Sequence, residues 1–535
     1  MKDVTCLFTD ILIIGGGIAA LRAADKASQS GLKITIVIKD HANSSSSITG
    51  FNAVLRGSPH KDTCSIFFDD TVNGGCHLNN PELAANLTCR AESSVYDLID
   101  MGVRFDMDGN RLATRQAAGS TVPRLVHYQD KIGSEIMSVL LNRLKTNPKV
   151  EFINNTIVIK LIKEEGMVRG VLALDQISGN PIIINSSSTI IATGGVGNLY
   201  SFSNALRSLT GDGFVLAKQA GARLRDMEFV QFEPFCFVYP EEVRGINIPT
   251  ALFWDGASLT NGLGEDIVMK GIDGKPVPLT KGNLSRKIMT EIKAGRGSEH
   301  GGVFLDIRNV SEKVLNNYPK LLRLFKEKGL FPTNAPFEIA PAFHYLMGGI
   351  EIDSKCNTKV RGLMAVGEVA GGVHGAGRLS GNSGTEVVVF GAIAGEEAVR
   401  NIKKIKTNIK LSSNIISETI EEYRENFGGS KEDEIYSVEI GEAISRIMNN
   451  KVGVLREGTE LSEALKEIRT INSDLKRLKA SDYKSLINIT AIKNMATIAE
   501  FVIKGVLART ESRGEHFRLD FQERDDLNFL KSIYC

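Results

Sequence analysis

The sequence predicts an α/β fold organised around a parallel sheet, and three observations carry that prediction. Asp10 to Ile14 is a short isoleucine-rich run of the kind that forms a strand buried on both faces. It enters the turn Gly15-Gly16-Gly17, after which Leu21 to Ser28 carries helical spacing. A second apolar strand, Lys33 to Ile38, follows and ends at Lys39-Asp40.

Each part of that unit has a chemical reason. Gly15 permits the tight turn, and Gly17 lets the backbone approach a pyrophosphate. Ile18 and Ala19 open the helix, and Ala20 in the third position still allows close packing of helix on strand. A diphosphate is expected on the helix N-terminus, where free amides and the helix dipole favour negative charge. The unit is therefore Rossmann-like. The acidic residue that usually holds a ribose should end the second strand, yet Lys39 stands beside Asp40 there, and the sequence does not decide between them. Val150 to Ile184 is rich in strand-forming residues, with alternation such as Val168 to Leu174. It leads to Thr189-Ile190-Ile191-Ala192-Thr193-Gly194-Gly195, a strand running into a second glycine turn. That Ala-Thr-Gly-Gly segment resembles the second nucleotide-side loop of flavoproteins with two dinucleotide folds. FAD rather than NAD is the expectation, with Ala192, Thr193 and Gly194 among its contacts.

The 535 residues are too many for one core and imply two or three domains. A composition of 42% hydrophobic and 24% charged residues is that of a globular protein, and a formal net charge of +1 gives no reason to expect nucleic acid. No apolar run approaches the roughly 20 residues that span a bilayer. The start Met1-Lys2-Asp3-Val4 lacks the features of a signal peptide, so a cytoplasmic enzyme without a membrane span is expected. The seven scattered cysteines form no Cys-x-x-Cys pair, which argues against an encoded iron–sulfur cluster or zinc site. From Leu411 to Cys535 the pattern is helical and highly charged, for instance Ile440 to Met448.

Further along, the motifs become specific. Thr210-Gly211-Asp212-Gly213 precedes Asp226-Met227-Glu228-Phe229-Val230-Gln231-Phe232; His344-Tyr345-Leu346-Met347-Gly348-Gly349-Ile350 follows. Gly367-Glu368-Val369 leads to His374-Gly375-Ala376-Gly377-Arg378-Leu379-Ser380-Gly381-Asn382-Ser383. The tail carries Glu511-Ser512-Arg513-Gly514-Glu515-His516-Phe517-Arg518 and Arg524-Asp525-Asp526-Leu527-Asn528. In this order these segments resemble the flavoprotein subunits of succinate dehydrogenase and fumarate reductase, a family that includes the L-aspartate oxidases. The glycines of 371 to 381 let backbone amides crowd a planar ring. The helix beginning at Ser383 would point its N-terminus at the flavin pyrimidine edge, where reduction builds negative charge.

The resemblance implies an FAD-binding domain of residues 1–222 and 341–410, an inserted α+β capping domain of 223–340 and a helical C-terminal domain of 411–535. It adds Ser47, Thr49, Gly50, Asp212, Tyr345, Glu368, Gly381, Asn382 and Ser383 to the cofactor contacts, and gives His344 and Arg378 to cofactor, substrate and catalysis. Several relatives bind FAD covalently through a histidine in a Ser-His-Thr segment; Asn43 to Gly50 places serine there and His41 falls too early, so non-covalent FAD is expected.

The substrate side departs from the family. His344 and Arg378 keep half of a carboxylate clamp of charge-assisted hydrogen bonds. Where the family reads Gln-Phe-His-Pro, this chain has Gln231-Phe232-Glu233-Pro234, and its Thr-Glu segment is replaced by Thr250 to Gly256, which brings Trp254. A Glu233 carboxylate facing a substrate carboxylate costs several kcal/mol. The expected substrate is thus a small organic acid other than fumarate, gripped by one carboxylate, with its other end facing Glu233, Thr250 and Trp254. The family's proton-donating arginine is matched by Lys281, with Arg286 as the second choice. The expected reaction is hydride transfer between flavin N5 and a C=C/CH–CH unit. The alternatives are an oxidase like L-aspartate oxidase, although its Arg-Glu-Gly-Gly segment reads Arg115-Gln116-Ala117-Ala118 here, and a subunit docking an electron-transfer protein.

Overall fold

In the computed structural model, which describes residues 4–40, 44–58, 60–268, 279–331, 334–404 and 410–535, the predicted first strand is longer than its apolar run. His41 and Asn43 lie outside the described residues. Strand β1 (Thr5–Ile14) pairs in parallel with β2 (Ile34–Val37), which pairs with β3 (Val150–Ile153). The strand-rich stretch then forms β4 (Thr156–Glu164), β5 (Met167–Asp175) and β6 (Pro181–Ile191). The sheet order is β3-β2-β1-β6-β5-β4, and the short strand Leu363–Ala365 also pairs with β6. β6 runs parallel to β1 and antiparallel to β5, so the sheet is mixed. Ile11 to Ile14 are almost wholly enclosed, as the absence of polar alternation in that run requires.

Helix α1 (Ile18–Ser28) follows the glycine turn and lies on the sheet with its alanines inward. The capping region presents α2 (Lys281–Lys293), whose N-cap Thr280 accepts from Asn283 N. Helix α3 (Asn382–Lys404) packs closely on α1. Gly395 makes that approach possible, because a Cβ there would stand 2.2 Å from Ala23 O.

A second sheet carries the cap: β7 (Val230–Tyr239), β8 (Ser258–Thr260), β9 (Val303–Asp306) and β10 (Phe337–Leu346), in the order β7-β10-β9-β8 and wholly antiparallel. The cap has its own hydrophobic core, in which Phe235, Phe253, Leu284, Leu305 and Phe325 meet. The C-terminal helices α4 (Lys431–Lys451), α5 (Gly458–Leu475) and α6 (Tyr483–Ala508) instead share one continuous core with the sheet domain. Helix α6 corrects one expectation. By length and composition it is apolar enough to cross a membrane, with mean hydropathy 1.4, and lysines such as Lys493 hide this in a count of uninterrupted apolar residues. It packs as the central helix of the bundle, with 56% of that window buried.

The tail after α6 is held by charge. Arg509, wholly buried, donates from Nε to Glu228 Oε1 at 2.7 Å and from Nη1 to Glu511 Oε1 at 2.9 Å. Two further hydrogens reach the carbonyls of Phe529 and Lys531. Arg513 grips Glu511 with two bonds and Asp526 with a third. His516 Nε2 donates to Arg509 O, which leaves Nδ1 to accept from Arg456 at 2.9 Å; burial holds this imidazole neutral. Glu228 immediately precedes the strand that carries the substrate side, so the tail braces that strand. Replacing Arg509 by Ala is expected to cost about 3–5 kcal/mol, since it leaves buried Glu228 without its cation and removes one of the two that hold Glu511. Urea unfolding checks this, and an unchanged midpoint would refute the bracing role.

Candidate active site

One elongated cavity of about 330 Å³ runs from the first glycine turn to the seam with the cap. At its inner end the β1–α1 turn is forced by contact: Gly15 adopts φ +125°, and a Cβ there would lie 2.1 Å from Ala192 O. Gly15, Gly17 and Ala19 line the cavity, with Ala192, Thr193 and Gly194 opposite them. Thr193 Oγ1 is an orphaned buried polar atom that lies against Gly213, where a Cβ would come within 2.1 Å of it. Ile18 is on the far side of the turn, its N–H donated to Ser45 Oγ at 3.1 Å, and it does not reach the cavity wall.

The ambiguity at the end of β2 has a structural answer. Lys39 Nζ donates to Asp212 Oδ2 at 2.9 Å, to Thr210 Oγ1 and to Ser208 O, which ties it to the loop after Leu209. Lys39, Asp40 and Asp212 all line the cavity. Asp212 also accepts from Asn494 of α6, so the helical domain reaches this wall. Further along, Ser47, Thr49 and Gly50 form one side. Ser45 and Ser47 stand on this wall, and among the described residues His344 is the histidine that lines the cavity.

The opposite wall is made by the glycine-rich loop and the start of α3. Gly381 and Ser383 line the cavity, whereas Asn382 is turned away, accepting from Asn52 Nδ2 at 2.7 Å and donating to Thr71 Oγ1. Glu368 lines it too; burial pushes its carboxyl up to about 8, and it accepts from Leu346 N at 3.1 Å. Tyr345 donates to Glu386 Oε2 at 2.7 Å, and the same oxygen meets His374 Nε2 at 2.9 Å. The glycine cradle and the length of the cavity fit FAD. The β1–α1 turn would hold its diphosphate and the 378–383 loop its ring.

At the cap seam four side chains converge. Glu233, 2% exposed, is ion-paired to Lys281 Nζ and accepts from Thr250 Oγ1 at 2.5 Å. Burial raises a carboxyl, but the Lys281 ammonium and these hydrogen bonds outweigh it and hold Glu233 below its ordinary range. His344 Nε2 lies 3.8 Å from Glu233 Oε2, while Nδ1 donates to Asn204 Oδ1 at 3.1 Å. Burial and the nearby Lys281 and Arg378 cations push His344 down to about 3, so the ring is neutral and Nε2 is its unprotonated, accepting nitrogen. Arg378 lies over the Tyr345 ring at 4.5 Å, donating from Nη1 to Ser383 Oγ and from Nη2 to Gln231 Oε1 at 2.6 Å. Its Nε is buried without a partner, and the side chain lines the cavity.

Three expected substrate-side residues are elsewhere. Thr250 touches Glu233 but does not line the cavity. Trp254 packs edge-on against Phe253 in the cap core, because the short helix Ala251–Trp254 turns its aromatic side chains inward. Arg286, one turn along α2 from Lys281, lies over Phe517 at 4.9 Å and away from the cavity. Conversely Asn204 and Asn247 line the seam, and they come from loops with no motif to mark them.

Comparison with known proteins agrees with this geometry. Residues 10–383 match the family model of an FAD binding domain, and residues 441–535 that of the fumarate reductase flavoprotein C-terminus. One subunit of the fumarate reductase (CoM/CoB) of Methanothermobacter marburgensis is 34% identical over 525 residues, covering 96% of this chain and 94% of its own. The fumarate reductase flavoprotein subunit of Proteus vulgaris is 30% identical, over 98% and 91%. An Escherichia coli quinol fumarate reductase structure superposes with a TM-score of 0.90 at 27% identity, over 99% of this chain and 94% of that one. The chain belongs to the fumarate reductase and succinate dehydrogenase flavoprotein family, and it is an FAD-dependent oxidoreductase of that type.

Proposed function

We propose that this oxidoreductase interconverts a C=C and a CH–CH unit in a small organic acid that carries one carboxylate. The observation that supports this reading is the Glu233–Lys281 ion pair inside the cavity. With His344 neutral, the seam holds two cations and one anion, and Arg378 is the cation left for a substrate carboxylate. Bound FAD supplies the two-electron, hydride-level redox chemistry.

The residues then divide the rest of the task. Arg378, which lines the cavity, holds the carboxylate, and Ser383 and Gln231 fix the plane of its guanidinium. His344 Nε2 and Glu233 are acceptors, so they suit an end of the substrate that is neutral or cationic and bears hydrogen-bond donors. Lys281 lines the cavity and carries a transferable proton, whereas a guanidinium gives up its proton far less readily. It is the proton donor of this reading, and Glu233 keeps its ammonium in place. His344 on β10 and Lys281 on α2 line the seam from the two sides of the cap.

Fumarate is the second reading, favoured by the relatives that bear its name. It would set a second carboxylate against Glu233, a repulsion worth several kcal/mol in an enclosed site. The electron source is part of the proposal as well: relatives are named as subunits, so a protein partner is expected to deliver electrons.

The deciding experiment is anaerobic reoxidation of the reduced holoenzyme by a panel of small unsaturated acids, followed through the flavin band. Reoxidation fastest with a monocarboxylate such as crotonate is the expected result, and fastest with fumarate would overturn the substrate. No response from any acid, with amino acids instead reducing the oxidised form, would move the reading to an oxidase. Glu233→Gln should raise the ratio of kcat/KM for fumarate over crotonate about tenfold or more, by removing a like charge. An unchanged ratio would show that Glu233 does not set the charge preference. Lys281→Met should lower kcat by about 100-fold or more, in the range for loss of a general acid, while Arg286→Met changes it less than about threefold. The reverse pattern would transfer the role to Arg286.

A further inference from the structure

The C-terminal tail reaches the active site through one side chain that the proposed reaction does not use. Glu515 lies on the tail loop after α6, and its backbone N–H donates to Ala376 O at 2.8 Å, which fixes it against the glycine-rich loop. Its Oε1 accepts from Gln231 Nε2 at 2.9 Å, and Gln231 Oε1 in turn accepts from Arg378 Nη2 at 2.6 Å. Its Oε2 stands over the first turn of α2, where a Cβ on Gly282 would come within 2.4 Å of it. Lys281, the neighbour of that glycine, lines the cavity.

This chain of contacts has one consistent assignment. A guanidinium can only donate and an ionised carboxylate can only accept. An amide held between them must therefore turn its oxygen to Arg378 and its NH2 to Glu515. Gln231 is wholly buried, so no solvent competes for either end. Without Glu515, the amide keeps its bonds to Arg378 alone, from Nη2 at 2.6 Å and to Arg378 O at 3.1 Å, and loses the anchor outside Arg378 that fixes its position. Amide and guanidinium could then shift together, moving Arg378 off the orientation it holds at the cavity. Burial pushes the Glu515 carboxyl up, and Arg286, Lys281 and Arg378 around it pull the other way.

We propose that Glu515 is a positioning residue for substrate binding: through Gln231 it holds Arg378 in the orientation that receives the substrate carboxylate. The inference rests on the assignment of Arg378 as the carboxylate site, but not on which acid the enzyme prefers, since each acid places a carboxylate there.

The test uses the holoenzyme and measures dissociation constants of crotonate and fumarate from their perturbation of the flavin absorption band, together with the melting midpoint. Glu515→Ala should weaken both acids about tenfold or more, the worth of a hydrogen bond to a charged group, without changing their ratio. Glu515→Gln keeps an acceptor at the same place and should restore binding to within about threefold. Gln231→Leu should reproduce the loss, and it serves as the reading if Glu515→Ala does not fold. A Glu515→Ala protein that binds both acids as the wild type does would overturn the proposal. So would a Glu515→Gln protein as weak as the Ala variant, or weakening that merely follows a lowered melting midpoint. If Arg378→Ala leaves binding unchanged, the carboxylate site itself is misassigned and Glu515 falls with it. A wild type that binds fumarate more tightly than crotonate would overturn only the substrate reading.

Discussion

The antiparallel pairing of β7 with β10 is the constraint on which the active site depends. These two strands pass from the FAD domain into the cap, and each carries half of the substrate side. Gln231 lies opposite Tyr345, and Glu233 opposite Ala342, with shifts in register between Gln231 and Phe232 and again between Glu233 and Cys236. A strand of strict period two would repeat one spacing along the cavity; the irregularities re-aim side chains locally while the ladder holds the backbone. One pairing thereby places Gln231 under Arg378, and Glu233 beside His344 and within reach of Lys281 from the cap helix.

That pairing is braced from behind by charge rather than by apolar area. Glu228 at the entrance of β7 is wholly buried and answered by Arg509, while Arg456 binds its carbonyl. Burial pushes the Glu228 carboxyl up to about 7 and leaves its Oε2 without a partner, so the pair is costly, and its value is in specifying one arrangement. Here the arrangement specified is the docking of residues 509–518 against the base of the cap strands. The tail delivers Glu515 to Gln231 by the same docking, so the contacts that close the fold and those that orient the clamp are consecutive in the chain.

The parts of the molecule that were legible in the sequence are those set by local chemistry. The turn at Gly15 to Gly17 follows from a steric demand, visible as the approach of Ala192 O, and it marks itself by residue type. His344, Arg378, Glu233 and Lys281 sit in motifs or in departures from motifs, and the structure brings all four to one cavity. Trp254 and Arg286 were misleading for a shared reason: sequence order places them beside functional residues, but helix geometry turns them to another face. The bond between Gln231 and Glu515 spans 284 positions, and no periodicity relates such residues. Asn204 was missed because a single loop asparagine has no pattern, although it fixes which nitrogen of His344 carries the proton.

The exchange of histidine for glutamate at position 233 changes more than one contact. A cation pair facing a dianion is stabilised by the substrate, so such a site is electrostatically strained when empty. An internal Glu233–Lys281 pair relieves that strain before any ligand arrives. Its price is that a second carboxylate must compete with Glu233 for Lys281 in an enclosed site, where neither anion is well solvated. The neutral state of His344 follows from burial first and then from the Lys281 and Arg378 cations, against the opposing pull of Glu233. In the proposed reading, substrate charge and the placing of the proton donor both follow from one residue on β7, while Asn204 sets the His344 tautomer.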